Sequence, residues 1–180
     1  LRIQSPENSL KLYLIEGQLL HDQQKYAAAH AVYTNALENF ENNDEILYAR
    51  ALNAADMDRV DILEQDLRQI LEQNPEHADA LNALGYTLAD QTERYEEAEA
   101  LIRQAYILQP NEASIVDSMG WVAFRQGRLQ EAEDFLAKAW GLDRNPEIAA
   151  HLGASKGTTS PSGANTRRIA SQRSPSTSRP

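Results

Sequence analysis

Residues 78–110, ADALNALGYTLADQTERYEEAEALIRQAYILQP, decide how the rest of the chain is read. In the first half, Leu81, Leu84, Gly85 and Leu88 fall at i, i+3, i+4 and i+7, one stripe of an α-helix. In the second half Tyr95, Ala98, Ile102 and Ala105 do the same, and Pro110 closes the segment. Two helices of this length, each apolar on one side, cannot bury both faces against one another alone. The unit requires neighbours.

Working outward from Gly85, small residues recur at Gly17, Ala51, Gly120 and Gly153, giving successive spacings of 34, 34, 35 and 33 residues. Each anchor opens the same phrase: an apolar stripe around the small residue, a polar turn, a second apolar stripe. A fixed period of this size marks a repeat architecture. The units fall at about 10–43, 44–77, 78–112 and 113–145, with a partial fifth at 146–153. Residues 1–9 form a lead-in in which Ser5-Pro6-Glu7 suits a helix start, and Asn145-Pro146 offers an N-cap and first-turn proline to the fifth unit. The small residues imply close antiparallel crossings, with Gly85 facing Ala98 and Gly120 facing Ala132.

Charge divides the chain. Residues 1–153 hold all 27 acidic and 12 of the 17 basic residues, a net −15, while residues 154–180 carry +5. An acidic body repels phosphate backbones and draws basic partners in a salt-dependent way. No apolar run reaches the ~18–20 residues of a membrane-spanning helix. Cysteine is absent, so disulfides and thiol chemistry are excluded. The chain starts at Leu1 rather than Met and reads as a fragment or processed product. Residues 154–180 hold 7 Ser, 4 Thr, 3 Pro and no acid, a composition expected to be disordered. A native basic tail and an out-of-frame or appended sequence both fit it.

The motifs resemble the tetratricopeptide repeat, whose pattern is W-x2-L-G-x2-Y…A-x3-F…P. The third unit matches as Leu81-x2-Leu84-Gly85-x2-Leu88, Ala98-x3-Ile102 and Pro110; the fourth matches as Val116-x2-Met119-Gly120 and Ala132-x3-Leu136. The first keeps Gly17 and Ala29-x3-Tyr33, and the second is the most degenerate, with Ala51 in the glycine place. The resemblance implies an all-α, right-handed α-solenoid of about four helix-turn-helix repeats plus an extra C-terminal helix. It also implies that the first helices line a concave groove where protein ligands lie. Carried over by position, that groove takes Tyr48, Leu52 and Asp56 from the second unit and Asp79, Asn82, Tyr86 and Asp90 from the third. The fourth contributes Asp117, Trp121, Phe124 and Arg125. The aromatics suit either apolar anchors or, for Trp121 and Phe124 equally, packing between adjacent units as ordinary core; the aspartates suit flanking Lys or Arg, and Asn82 can hold a backbone amide. This set departs from the Lys/Arg/Asn clamp with which some members hold acidic chaperone tails.

Longer phrases, NPEHADALNALGYTLAD, DSMGWVAFRQGRLQEAEDFLAKA and NPEIAAHLG, are similar to the C-terminal repeats of proteobacterial outer-membrane tetratricopeptide lipoproteins. That similarity implies a periplasmic, outer-membrane-associated setting through an N-terminal lipid, and an adaptor or scaffold role of the kind that serves carboxyl-terminal processing proteases. The competing expectation is a structural domain that forms a homodimer through its uncapped C-terminal unit.

Catalytic patterns are not found. His21, His30, His77 and His151 lack metal-ligand spacing, and His77 reads as a solvated turn residue. Paired carboxylates such as Glu96-Glu97 and Asp66/Glu72 read as solvated outer faces. The expectation is a non-enzymatic binding module without cofactor or metal, whose partner is a basic or apolar protein or peptide.

Overall fold

The computed structural model describes residues 6–157. Those residues form nine α-helices and no strand: α1 Pro6–Asp22, α2 Tyr26–Asn39, α3 Asp44–Ala55, α4 Val60–Gln73, α5 Ala78–Gln91, α6 Tyr95–Leu108, α7 Ala113–Arg125, α8 Leu129–Leu142 and α9 Pro146–Ser155. The segment expected to be disordered begins at residue 154, but Ala154 and Ser155 are the last turn of α9; the rest of that expectation, residues 158–180, lies outside the described residues.

Sequence sets the helix boundaries. Asn43, His77 and Asn145 precede α3, α5 and α9 and accept hydrogen bonds from backbone N–H groups of the first turn (Ile46, Ala80, and Glu147 with Ile148) at 3.0–3.2 Å. His77 is therefore a cap, half-buried and stacked on Tyr48 at 5.9 Å, rather than a solvated turn residue. Within the first, second and fourth units the chain reverses through Gln24, Asp58 and Gly127, each seven residues after its anchor, with φ of 60°, 55° and 78°. The third unit has Thr92 there, in extended conformation, with its hydroxyl bonded to the Leu88 carbonyl at 2.5 Å. This turn is one residue longer, which accounts for the single 35-residue spacing.

Each pair packs tightly because its anchor is small. A Cβ on Gly120 would lie 2.6 Å from Leu136 Cγ, and one on Gly85 would lie 2.6 Å from Ile102 Cγ1 and 2.9 Å from the Ala98 carbonyl oxygen. The close partner is thus the large residue at the fourth place after the alanine, with the alanines buried one turn away. Leu84, Leu88, Ile102 and Met119 join a core that runs continuously from α3 to α7.

Successive units stack second helix on first helix, α2 on α3, α4 on α5, α6 on α7 and α8 on α9. First helices also touch one another, α1 with α3, α5 with α7 and α7 with α9, and the second helices do so less. The array therefore curves with the first helices on its inner side. On the outer side, ion pairs bridge the second helices: Glu64 with Arg94 at 2.9 Å, Arg68 with Glu97 at 2.5 Å, and Arg128 with Glu99 at 2.8 Å.

Asp66 departs from its expected outward position. It is fully buried, and Arg50 donates to both its oxygens at 2.7 and 2.8 Å and to Thr34 Oγ1 at 3.2 Å. This group ties α2, α3 and α4 together in the most degenerate repeat. Charge pairing satisfies there a carboxylate that burial would otherwise penalise.

Candidate functional site

The groove positions fall into two groups along the inner side. In the N-terminal group, His21 at the end of α1 lies 3.1 Å from Asn53 Oδ1 and 3.3 Å from Asp56 Oδ2. Asn53 is fully buried and its amide donates to the Tyr26 carbonyl at 2.9 Å. Leu52 is 9% exposed and belongs to the core, Tyr48 is half-buried against His77, and Asp79 at the start of α5 is exposed. Much of this group is occupied in joining the first two units.

The C-terminal group gathers on α5, α7 and α9. Asp117 Oδ2 lies 2.6 Å from His151 Nδ1, a pair in which Asp117 is 4% and His151 1% exposed. The His151 ring stacks on Trp121 at 4.2 Å and tilts against Tyr86 at 6.1 Å. Trp121 in turn stacks on Phe124 at 5.3 Å. Its indole N–H donates to Asp90 Oδ1 at 3.2 Å. Arg125 donates to the Asp90 backbone carbonyl at 2.6 Å and to the Tyr95 hydroxyl at 3.3 Å. Burial pushes the Asp90 carboxyl above its ordinary range, against the opposing pull of Arg125 and the Trp121 hydrogen bond.

Asp90, Trp121, Phe124 and Arg125 are thus brought together, with Asp117 and Tyr86 joined to them through His151, while Asn82 lies one turn from Tyr86 on α5; Leu52 shares a core cluster with Trp121, against which Tyr48, Tyr86 and Phe124 pack. Trp121, at 3% exposure, is a wall of the group rather than an open anchor; Tyr86 and Phe124 are half-buried. Asn82 Oδ1, Asp117 Oδ1 and His151 Nε2 are buried and have no hydrogen-bond partner among the described residues. Position within the repeat put His21 on the inner side but missed His151; each meets an aspartate of the neighbouring unit. Their signal was the repeat register: His151 occupies a place that holds Ala49, Ala83 and Ser118 in the preceding units, so its large ring must extend across α7. No group of three or more His, Asp or Glu among the described residues is arranged to hold a metal ion.

Comparison with known proteins agrees with this architecture. The family model for the tetratricopeptide repeat matches residues 48–113. A curated TPR repeat-containing protein of Pseudomonas aeruginosa is 42% identical over 154 residues, 84% of this chain. This chain belongs to the tetratricopeptide-repeat superfamily. It spans 26% of that relative's length. Among solved structures, a thermophilic TPR protein of Thermus thermophilus superposes with a TM-score of 0.74 at 23% identity, covering 91% of this chain and 98% of that one. YrrB, described as a TPR protein with an unusual peptide-binding site, gives a TM-score of 0.65 at 18% identity, covering 81% of this chain and 74% of that one. At these identities the likeness is one of fold. Tetratricopeptide arrays are generally protein–protein interaction modules that bind peptides or proteins, and generally non-catalytic scaffolds.

Proposed function

We propose that this tetratricopeptide array is a non-catalytic adaptor whose inner face at α5, α7 and α9 receives a peptide or helix of a partner protein. The observation that carries this reading is the polar–aromatic group itself. Asn82 Oδ1, Asp117 Oδ1 and His151 Nε2, buried and without a hydrogen-bond partner among the described residues, belong to the helices α5, α7 and α9 that also carry the half-buried rings of Tyr86 and Phe124. A native interior leaves few such atoms unmatched, because each costs about 1–3 kcal/mol. Two half-exposed aromatics on the same helices supply the apolar area on which small interfaces depend. The −15 charge of residues 1–153 favours a basic partner.

The similarity to envelope lipoproteins supports a bacterial-envelope setting, with the array acting as adaptor or assembly scaffold, including for a carboxyl-terminal processing protease. The test is capture of partner from a proteobacterial envelope extract by the parent chain and by Tyr86→Ala. Tyr86 is preferred to Trp121 for truncation because removing a buried Trp costs about 3–5 kcal/mol of stability. Loss of capture with unchanged helicity is the expected result. Equal capture by the variant would move the binding surface elsewhere.

A further inference from the structure

Leu12, Ile15 and Leu19 form an apolar stripe on α1, each more than half exposed. They stand five and two residues before, and two after, the anchor Gly17. On later first helices the first of these places is a contact between units. Ile46 shares a core cluster with Ala36 of α2, Ile115 with Ala105 of α6 and Ile148 with Ala139 of α8. Each of these isoleucines is 1% exposed or less. A terminal helix of a solenoid ordinarily turns a polar face outward, and α1 does not.

Two observations say what covers the stripe. The first is continuity with the interfaces inside the array. The contacts of α2 with α3, α4 with α5, α6 with α7 and α8 with α9 are four copies of one interface, and the α1 stripe is the accepting half of a fifth. A second copy of this chain has no matching helix to give, because each of its second helices already lays that face on its own next unit. The second observation is the sequence ahead of the stripe. Leu1, Gln4, Pro6 and Glu7 repeat Ile70, Gln73, Pro75 and Glu76 at a constant offset of 69 residues, two repeat lengths. Those four residues close the second unit, and Ile70 is fully buried on α4. The step from Pro6 to Gly17 is one residue longer than that from Pro75 to Gly85, a variation within the 33- to 35-residue anchor spacings. The Pseudomonas aeruginosa relative, of which this chain spans 26%, is long enough to hold further units.

We propose that the α1 stripe is a unit–unit interface, covered by the second helix of a further tetratricopeptide pair that precedes α1 in the same polypeptide and whose closing phrase is carried by residues 1–7. The inference goes beyond the adaptor reading and does not depend on it. Such a pair lengthens the inner face and carries the groove past α1.

The chain has no cysteine, so Ile15→Cys supplies a single thiol on the stripe, and Leu129→Cys supplies one on α8 at a place 53% exposed. Maleimide labelling rates are compared between the parent chain and two extended chains. One carries residues 44–69 and the other residues 113–138, joined directly ahead of Leu1 to complete a helix pair. Extension should slow labelling of Ile15→Cys at least about tenfold and leave Leu129→Cys unchanged. Two alanines inserted at the junction turn the added helix by about 200° and should restore fast labelling. Equal rates in extended and parent chains, or failure of both additions to raise helicity, would overturn the interface. Protection that survives the insertion would overturn residues 1–7 as the closing phrase. Protection in the unextended chain that rises with protein concentration would give the stripe to a second copy and overturn the proposal.

Discussion

Leu12, Ile15 and Leu19 on α1 are 51%, 65% and 56% exposed, whereas the residues at the same places relative to the anchor on α3, α5 and α7 are 9% exposed or less. Those counterparts are Ile46, Ala49 and Asn53, then Ala80, Ala83 and Thr87, then Ile115, Ser118 and Val122. The inner helices lay this stripe against the preceding unit, and among the described residues no element stacks on α1 from that side. Amphipathic pattern alone therefore does not determine burial here; the neighbour does. Where the neighbour is present the stripe mixes large apolar residues (Ile46, Ile115, Val122) with small and polar ones, all buried against it. The uncovered helix carries a large apolar side chain at all three places. For self-association, this stripe offers more apolar surface than α9, where Ala149 and Ala150 are the exposed apolar side chains apart from the first-turn Pro146.

The sharpest way to break the comparison is truncation at matched places. Ile115→Ala should cost about 2–5 kcal/mol in urea unfolding, and Ile15→Ala should stay within about 0.5 kcal/mol. A large, concentration-dependent loss for Ile15→Ala would show that a second copy covers α1 in solution.

A smaller effect, with a change of sign, is expected at two helical glycines. Gly120→Leu drives a side chain into Leu136 and should cost about 1–3 kcal/mol. At Gly141 in α8 a Cβ would meet nothing within 4 Å, so Gly141→Ala should gain up to about 1 kcal/mol. Thermal melting of both variants against the parent measures the contrast, and destabilisation by Gly141→Ala would show that the outer face of α8 is covered.

The smallest effects contrast outer and inner carboxylates by pH. Hydrogen bonds from Arg94 to Glu64 and from Arg68 to Glu97 hold both carboxyls below the ordinary value of 4.5. Their contribution is present above that value and is lost as pH falls through the lowered folded values. Asp90 has the opposite sign: its contribution is present below 3.8 and is lost as pH rises through its raised folded value. Melting between pH 6 and 3 should show Glu64→Gln flattening the acid loss, by under about 1 kcal/mol for such an outer network. Asp90→Asn should steepen it. The reverse order would mean that the two networks had been assigned opposite roles.

Much of the architecture was legible before any coordinates. The spacing of Gly17, Ala51, Gly85 and Gly120 marked the helix pairs because a close crossing tolerates only a small residue, and Asn145-Pro146 marked the start of α9 because capping chemistry is local. The candidate site was legible in part. Position within the repeat put Asn82, Tyr86, Asp117 and Trp121 on one side, but their exposure depends on which residue of the next unit reaches them. Trp121 read equally as an anchor and as core between units, and His151, 30 positions later in the chain, covers it. Asp66 read as an outer carboxylate because its neighbours are polar, and Arg50 from the preceding helix holds it inside.

By itself the sequence determined the repeat, the helix boundaries and the acidic character of residues 1–153, since periodicity, capping and net charge are properties of neighbouring or summed residues. Only the tertiary structure decided which polar groups meet. The Asp117–His151 pair and the uncovered α1 stripe arise between units and the Asp66–Arg50 pair between the two helices of one unit, where side-chain length and helix stacking fix contacts that a periodic pattern leaves open.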